Sequence, residues 1–223
     1  MIKFLVFLVA LSLPTQGQFG RLLQKDSKTS SGLKEALQIG LNQAVQLTAV
    51  TDGYFKNEAI KILMPEKIRK TEKGLRLVGL GPKIDEFELS MNRAAEAAAP
   101  EAKAIFGKAL RGMSFTDATK ILAGGETAAT DFFKSRTTEQ LTAAFKPKIE
   151  ATMATTDVAA LYKPLSGGLQ SLVPGQSFDI TDYVVGKSLD GLFYMLGQEE
   201  KKIRTNPAAR ITPLLRDVFG KAR

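Results

Sequence analysis

Apolar residues recur every three to four positions along most of this chain, and nowhere do they alternate over the length of a strand. That period belongs to the α-helix, which brings positions i, i+3, i+4 and i+7 onto one face. Leu33, Leu37, Leu41, Ala44 and Val45 form one such stripe, with Ser31 as its N-cap. Ile84, Phe87, Met91, Ala94, Ala95 and Ala98 form a second, whose alanines let a neighbouring helix come close. Val184, Leu189, Phe193 and Leu196 mark a long helix over about 180–204, capped by Asp179. Ile211, Leu214, Leu215 and Val218 follow Asn206-Pro207 and precede Gly220, a cap, first-turn proline and C-terminal glycine in the expected order.

The punctuation between stripes supports the same reading. Asp52-Gly53 marks a turn, and Pro65-Glu66 opens a helix toward Leu77 that Gly79, Gly81 and Pro82 end. Pro100 starts a helix to about Arg111, and Ser114 with Asp117 forms a capping-box-like start for a short helix ending at Gly124-Gly125. Thr127 opens a helix to about Lys134. Thr137-Thr138-Glu139-Gln140 reads as a capping box for another through about Thr155, and Asp157 begins one reaching about Leu165. Residues 167–176 read as loop. Only Ala59 to Met64 admits a short extended piece. The expectation is an all-α fold, a compact bundle of about eight or nine helices with little or no strand, in one domain over residues 33–223.

Ahead of it, Met1-Ile2-Lys3 supplies a positive start, Phe4 to Leu13 an almost wholly apolar run, and Pro14 to Gly17 a break with small residues. This is the tripartite pattern of an export signal, predicted to be cut after Gly17. The run is about half the roughly 20 apolar residues that a membrane span needs. Residues 18–32, polar and small from Gln24 to Gly32, read as a flexible lead-in. The expected location is a bacterial periplasm or the exterior, with no transmembrane span after cleavage.

Of the 223 residues none is cysteine, histidine or tryptophan. That removes disulfides, thiolate nucleophiles, Cys-ligated zinc, the Ser-His-Asp triad and the commonest transition-metal ligand. Gly79-Leu80-Gly81 begins like a dinucleotide fingerprint, but Ile84 stands at the third glycine position and no strand precedes it. No phosphate-binding loop, calcium loop or zinc spacing occurs, so no cofactor, metal or catalytic residue is assigned.

Two groups of polar residues stand out. Glu88, Asn92 and Glu96, at i, i+4 and i+8, form an oxygen column on one helix face, and Arg93 lies three residues before Glu96. The column is a candidate polar cluster. It would serve as a carboxylate site for a hard cation or acid–base work, or as an Arg–Glu network locking two helices, the more ordinary outcome. The second group is basic. The net charge of +8 is not evenly spread: residues 201–223 carry seven basic residues against Asp217 alone, while residues 18–200 carry 23 against 22. Lys201, Lys202, Arg204, Arg210 and Arg216 form a candidate anion-binding surface, for anionic lipid, lipopolysaccharide or an acidic partner protein. Nucleic acid is not an expected partner, because aromatic and basic residues do not interleave. The competing account of these cations is that they complement the dipole of the long helix.

Four stretches resemble a bacterial family of exported proteins, domain of unknown function 4197. They are residues 52–68 (DGYFKNEAIKILMPEKI), 85–106, 113–133 and 182–220, long and in order. The resemblance implies an exported helical protein and carries over no activity and no functional residue. A lipid-attachment cysteine found in some relatives is absent here, which points to a soluble form.

Three functions are weighed on these features. The first is a non-enzymatic binding or envelope-associated protein with a basic C-terminal surface. The second is a carrier of an apolar ligand in a helical cavity lined by residues such as Phe132, Phe133, Phe193 and Tyr194. The third is a carboxylate-based hydrolase on an envelope polymer, which needs Glu88, Glu96 and a further acid such as Asp131 or Asp190 to converge in an open cleft.

Overall fold

The computed structural model describes residues 16–70, 72–154 and 179–206, with Ala208, Pro213 and Arg216; for residues 16–29, Lys67 and Ile68 it describes the backbone alone. The elements are α1 (Gln16–Ala49), α2 (Glu66–Arg69), α3 (Glu72–Leu77), α4 (Gly81–Ala98), a 3-10 turn (Ala99–Glu101), α5 (Ala102–Arg111), α6 (Phe115–Ala123), α7 (Ala128–Ala154) and α8 (Ile180–Thr205). The fold is all-helical, and the described residues contain no strand. No helix among them is long and apolar enough to cross a membrane.

The three stripes within the described residues form the core. Leu33, Leu41, Met91, Phe87, Val184 and Leu192 are all essentially inaccessible. α7 packs on α8 and α4, α1 on α8 and α5, so the core lies between these five helices. Ala94, Ala95, Ala98 and Ala102 are fully buried, and their small side chains admit the neighbouring helices. Local signals at two helix starts hold. Ser114 accepts from Asp117 N while Asp117 accepts from Ser114 N, closing the capping box of α6. Asp179 accepts from Thr181 N and Asp182 N at the start of α8.

The structure differs from the sequence reading in four places. First, six helices have nine residues or more among the described residues, with α2 and α3 as short additions, and two of the expected helices lie mostly or wholly outside those residues. Second, Ser31 does not cap α1, and residues 18–32 belong to that helix instead of standing apart as a lead-in. Once the 33–45 stripe nucleates a helix, each residue added at its end gains a backbone bond at little cost. Third, the helix from Glu66 toward Leu77 is divided in two. Fourth, the helices expected over 127–134 and 137–155 are one. The hydroxyls of Thr137 and Thr138 donate back to Phe133 O and Lys134 O, at 2.6 Å each, so these residues sit inside a helix and do not cap one.

α7 has an unusual buried line. Ala129, Phe133, Thr137, Leu141, Phe145, Ile149 and Met153 are spaced by four residues throughout and all are buried. Four residues turn a helix about 40° past a full revolution, so the line winds roughly 240° around the helix axis over its length. A single face therefore does not describe α7, which packs against α8, α4 and α5. The helix also continues through Pro147, which withholds one donor from the ladder. Residues 1–15 of the export signal, the helix expected over 157–165, the loop 167–176 and most of the C-terminal helix lie outside the described residues, while Gln16 and Gly17 fall in the first turn of α1.

Candidate functional site

The segment between α1 and α2, residues 50–65, contains no helix, and the oxygen column on α4 fastens it to the body. It opens at Asp52, whose φ of 68° is in the left-handed region that aspartate tolerates better than most residues. At Gly53 a Cβ would lie 2.5 Å from Leu47 O, so the turn has no room for a larger residue. Glu96, 4% exposed, then accepts from two successive amides of this turn, Tyr54 N at 3.0 Å and Phe55 N at 3.2 Å, through Oε1. Its Oε2 meets Arg93 Nη1 at 2.6 Å. Arg93 Nη2 bridges onward to Asp52 Oδ1 at 2.6 Å, and Lys56 reaches Asp52 Oδ2 at 2.7 Å. The bonds from Lys56 and then Arg93 hold the Asp52 carboxyl below the ordinary carboxylate range. The bond from Glu96, then that from Asp52, raises the Arg93 guanidinium further above its already high value.

One turn earlier, Asn92 is fully buried. Its Oδ1 accepts from Ile62 N and its Nδ2 donates to Ile62 O, both at 2.8 Å, with a further bond to Glu88 O at 2.8 Å. The side-chain amide thus takes the place of a neighbouring strand for Ile62. Both backbone groups of Ile62 are thereby satisfied in a 59–64 run that is neither helix nor strand. One turn earlier again, Glu88 pairs with Lys61 at 2.9 Å, and Lys61 Nζ stands 4.6 Å from the centre of the Phe55 ring. Tyr54 closes the segment onto α8. It is fully buried, its hydroxyl donates to Ser188 O at 2.6 Å, and burial pushes its pKa far up, so it stays a neutral donor. A Cβ on Gly191 would come within 2.6 Å of Tyr54 Cε1, so glycine is required where α8 crosses that ring.

Each member of the column therefore holds one point of the chain: Glu88 holds Lys61, Asn92 holds Ile62, and Glu96 holds Tyr54 and Phe55. Glu88 and Glu96 face different partners, Lys61 and the Tyr54–Phe55 amides. Asp131 is exposed at the first turn of α7, where it accepts from Thr127 Oγ1 at 3.3 Å. Among the described residues no three acidic side chains are placed to hold a metal ion.

A second device of the same kind has no counterpart in the sequence reading. Glu200 on α8, 6% exposed, accepts from Ala129 N at 2.9 Å and from Thr130 N and Thr130 Oγ1 at 2.8 Å each. These are first-turn amides of α7, so a carboxylate of α8 caps the N-terminus of α7, where its charge also suits the helix dipole. Arg204, one turn on, pairs with Glu200 at 2.8 Å and donates to Ile121 O at 2.8 Å, near the end of α6. The Glu200–Arg204 spacing of four is the one local sign of this cap, and its amide partners lie about seventy positions away.

This changes the make-up of the candidate anion-binding surface. Arg204 is largely buried in a three-helix junction. Lys201 and Lys202 stand in solvent, 54% and 59% exposed at the side chain, paired with Glu126 at 2.9 Å and Glu199 at 2.6 Å. Arg216 is exposed, and Arg210 lies outside the described residues.

The aromatic residues considered for a cavity lie in two settings. Phe133 and Phe193 are buried and pack edge-to-face on Phe106, at 5.7 and 6.1 Å between ring centres, and Phe132 packs on Phe133. Tyr194 is 46% exposed and lines an open surface cleft of about 270 Å³ with Ile60, Lys61, Lys187, Asp190 and Gly191. The cleft is small beside typical ligand pockets of about 300–1,000 Å³, and both its lysines already have carboxylate neighbours.

A family model described as Protein of unknown function (DUF4197) matches residues 24–220. No curated protein and no solved structure matches the chain.

Proposed function

The chain belongs to the DUF4197 family, and we propose that this member is a non-enzymatic exported protein that binds an anionic partner at the bacterial cell envelope. The observation that carries this reading is the cation surplus of residues 201–223, which begins where α8 presents Lys201 and Lys202 to solvent. The Lys201–Glu126 pair is exposed on both sides, and such pairs contribute under about 1 kcal/mol, so an external anion can displace Glu126. The buried carboxylates Glu96 and Glu200, in contrast, are engaged in holding helices and turns. Anionic lipid, lipopolysaccharide and an acidic protein share the chemistry this surface would recognise.

Export rests on the Met1 to Gly17 pattern. The expected mass of the protein from its native host is that of a chain beginning at Gln18 or within a residue or two, and an intact Met1 would overturn it. Binding is tested by co-sedimentation with anionic vesicles and with lipopolysaccharide from about 0.01 to 1 M salt, a range over which the Debye length falls from about 30 to 3 Å. Binding that weakens steadily with salt supports the proposal, and the absence of any salt-sensitive binding removes it.

A further inference from the structure

The most exposed large apolar side chains among the described residues are adjacent: Leu77 at 88% and Val78 at 72%. Their exposure follows from how α3 ends. Gly79 adopts a φ of 83°, Gly79 N donates to Arg76 O at 3.1 Å, and Leu80 N donates to Leu75 O at 3.0 Å. These two bonds with a left-handed glycine make a Schellman cap, in which the residues four before and one after the glycine, here Leu75 and Leu80, turn toward one another. Leu75 and Leu80 are part-buried, and Leu77 and Val78 are left outward.

The tip is braced. Arg76 pairs with Glu72 on its own helix and with Asp85 on α4. It is also cationic at its flanks. Lys73 is one turn before Leu77 and shares its face, and Lys83 lies in the first turn of α4. Both are exposed and neither makes an ion pair among the described residues. Between Glu66 and Glu86 the cations outnumber the anions by two.

We propose that the α3–α4 tip is a membrane-surface anchor: Leu77 and Val78 enter the headgroup–acyl boundary of an anionic bilayer while Lys73 and Lys83 meet its phosphates. The charge complementarity selects a bilayer over an apolar protein groove, since adjacent apolar and cationic groups match the two layers of a lipid interface. This rests on the reading above that the partner is anionic, and it locates the apolar part of the contact far in sequence from the C-terminal cations.

The test is partition of the whole protein onto vesicles of phosphatidylglycerol with phosphatidylethanolamine, against pure phosphatidylcholine. Leu77→Gln with Val78→Gln is expected to weaken binding to anionic vesicles by at least about tenfold. Lys73→Gln with Lys83→Gln weakens it about fivefold per lysine at low salt, and not in 1 M salt. All four positions are exposed, and unchanged thermal melts show that the variants fold. Because the chain has no cysteine, Val78→Cys also accepts a single environment-sensitive dye, whose emission is expected to shift to the blue on anionic vesicles. If the wild type binds, the tip variants bind equally well and Lys201→Gln with Lys202→Gln does not, the tip is not the anchor while the anionic reading stands. If the wild type binds no vesicle at any salt, the lipid proposal is overturned outright. Self-association without vesicles that Leu77→Gln abolishes would make the tip a protein contact and would also overturn it.

Discussion

Glu200→Gln offers a quantitative test of the carboxylate cap. Glutamine keeps the shape of the side chain and one acceptor oxygen. In the native protein one carboxylate oxygen takes Ala129 N and Arg204 Nε, and the other takes Thr130 N and Thr130 Oγ1. The variant must turn its NH₂ toward one of these pairs, leaving at least one buried amide without an acceptor, and it removes the negative charge paired with the Arg204 guanidinium, 13% exposed. A buried donor left unpaired costs about 1–3 kcal/mol, and breaking a buried ion pair by removing one partner costs about 3–5 kcal/mol. These overlap, so the expected loss is about 3–5 kcal/mol. At about 2–4 °C per kcal/mol for a chain of this size, the thermal midpoint falls by roughly 6–20 °C. Urea unfolding followed by far-ultraviolet circular dichroism measures it, with the slope unchanged if the transition stays two-state. The double variant with Arg204→Met should lose less than the two single losses added, because both single variants break the same Glu200–Arg204 pair. A loss below about 1 kcal/mol for Glu200→Gln would refute the cap.

Two further predictions concern the segment that α4 fastens. Gly191→Ala places a methyl 2.6 Å from Tyr54 Cε1 and 3.1 Å from Ile60 Cβ, and is expected to cost about 1–3 kcal/mol by urea titration, the usual range for overpacking. Asp52 has a folded-state pKa below its unfolded value, so its stabilising contribution is full above the ordinary carboxylate range and is lost as pH falls through the folded value. Urea midpoints measured from pH 6 down to pH 3 should fall more steeply in the wild type than in Asp52→Asn, and parallel curves would contradict the assignment.

The stripes at 33–45, 84–98 and 184–196 could be read from sequence because each keeps one helix face toward the core for several turns. α7 could not be read that way. Its four-residue line drifts around the helix and includes Thr137, a polar residue that is buried because its hydroxyl is satisfied by Phe133 O. The same limit separates the near and far halves of the polar cluster. Arg93 and Glu96 are three residues apart, and their pairing follows from helix geometry. The amides of Tyr54 and Phe55 and the backbone of Ile62 lie thirty to forty-two positions away, and only the packed fold brings them to Glu96 and Asn92. Glu200 was missed for this reason: its charge partner is local and the amides it caps are not. Arg204 looked like a surface cation in a basic run, and its burial depends on α6 and α7 packing beside it.

On the proposed function, the charged residues divide into those that hold the body together and those that would meet an anionic partner. Glu96→Gln tests that division most directly, with stability and vesicle binding measured on one preparation. Glutamine can still accept from Tyr54 N and Phe55 N, but its amide would face Arg93, so a stability loss of about 2–4 kcal/mol is expected. Binding of the folded variant to anionic vesicles should match that of the wild type at every salt concentration. A variant as stable as the wild type that no longer binds would contradict the account and make the α4 column a ligand site.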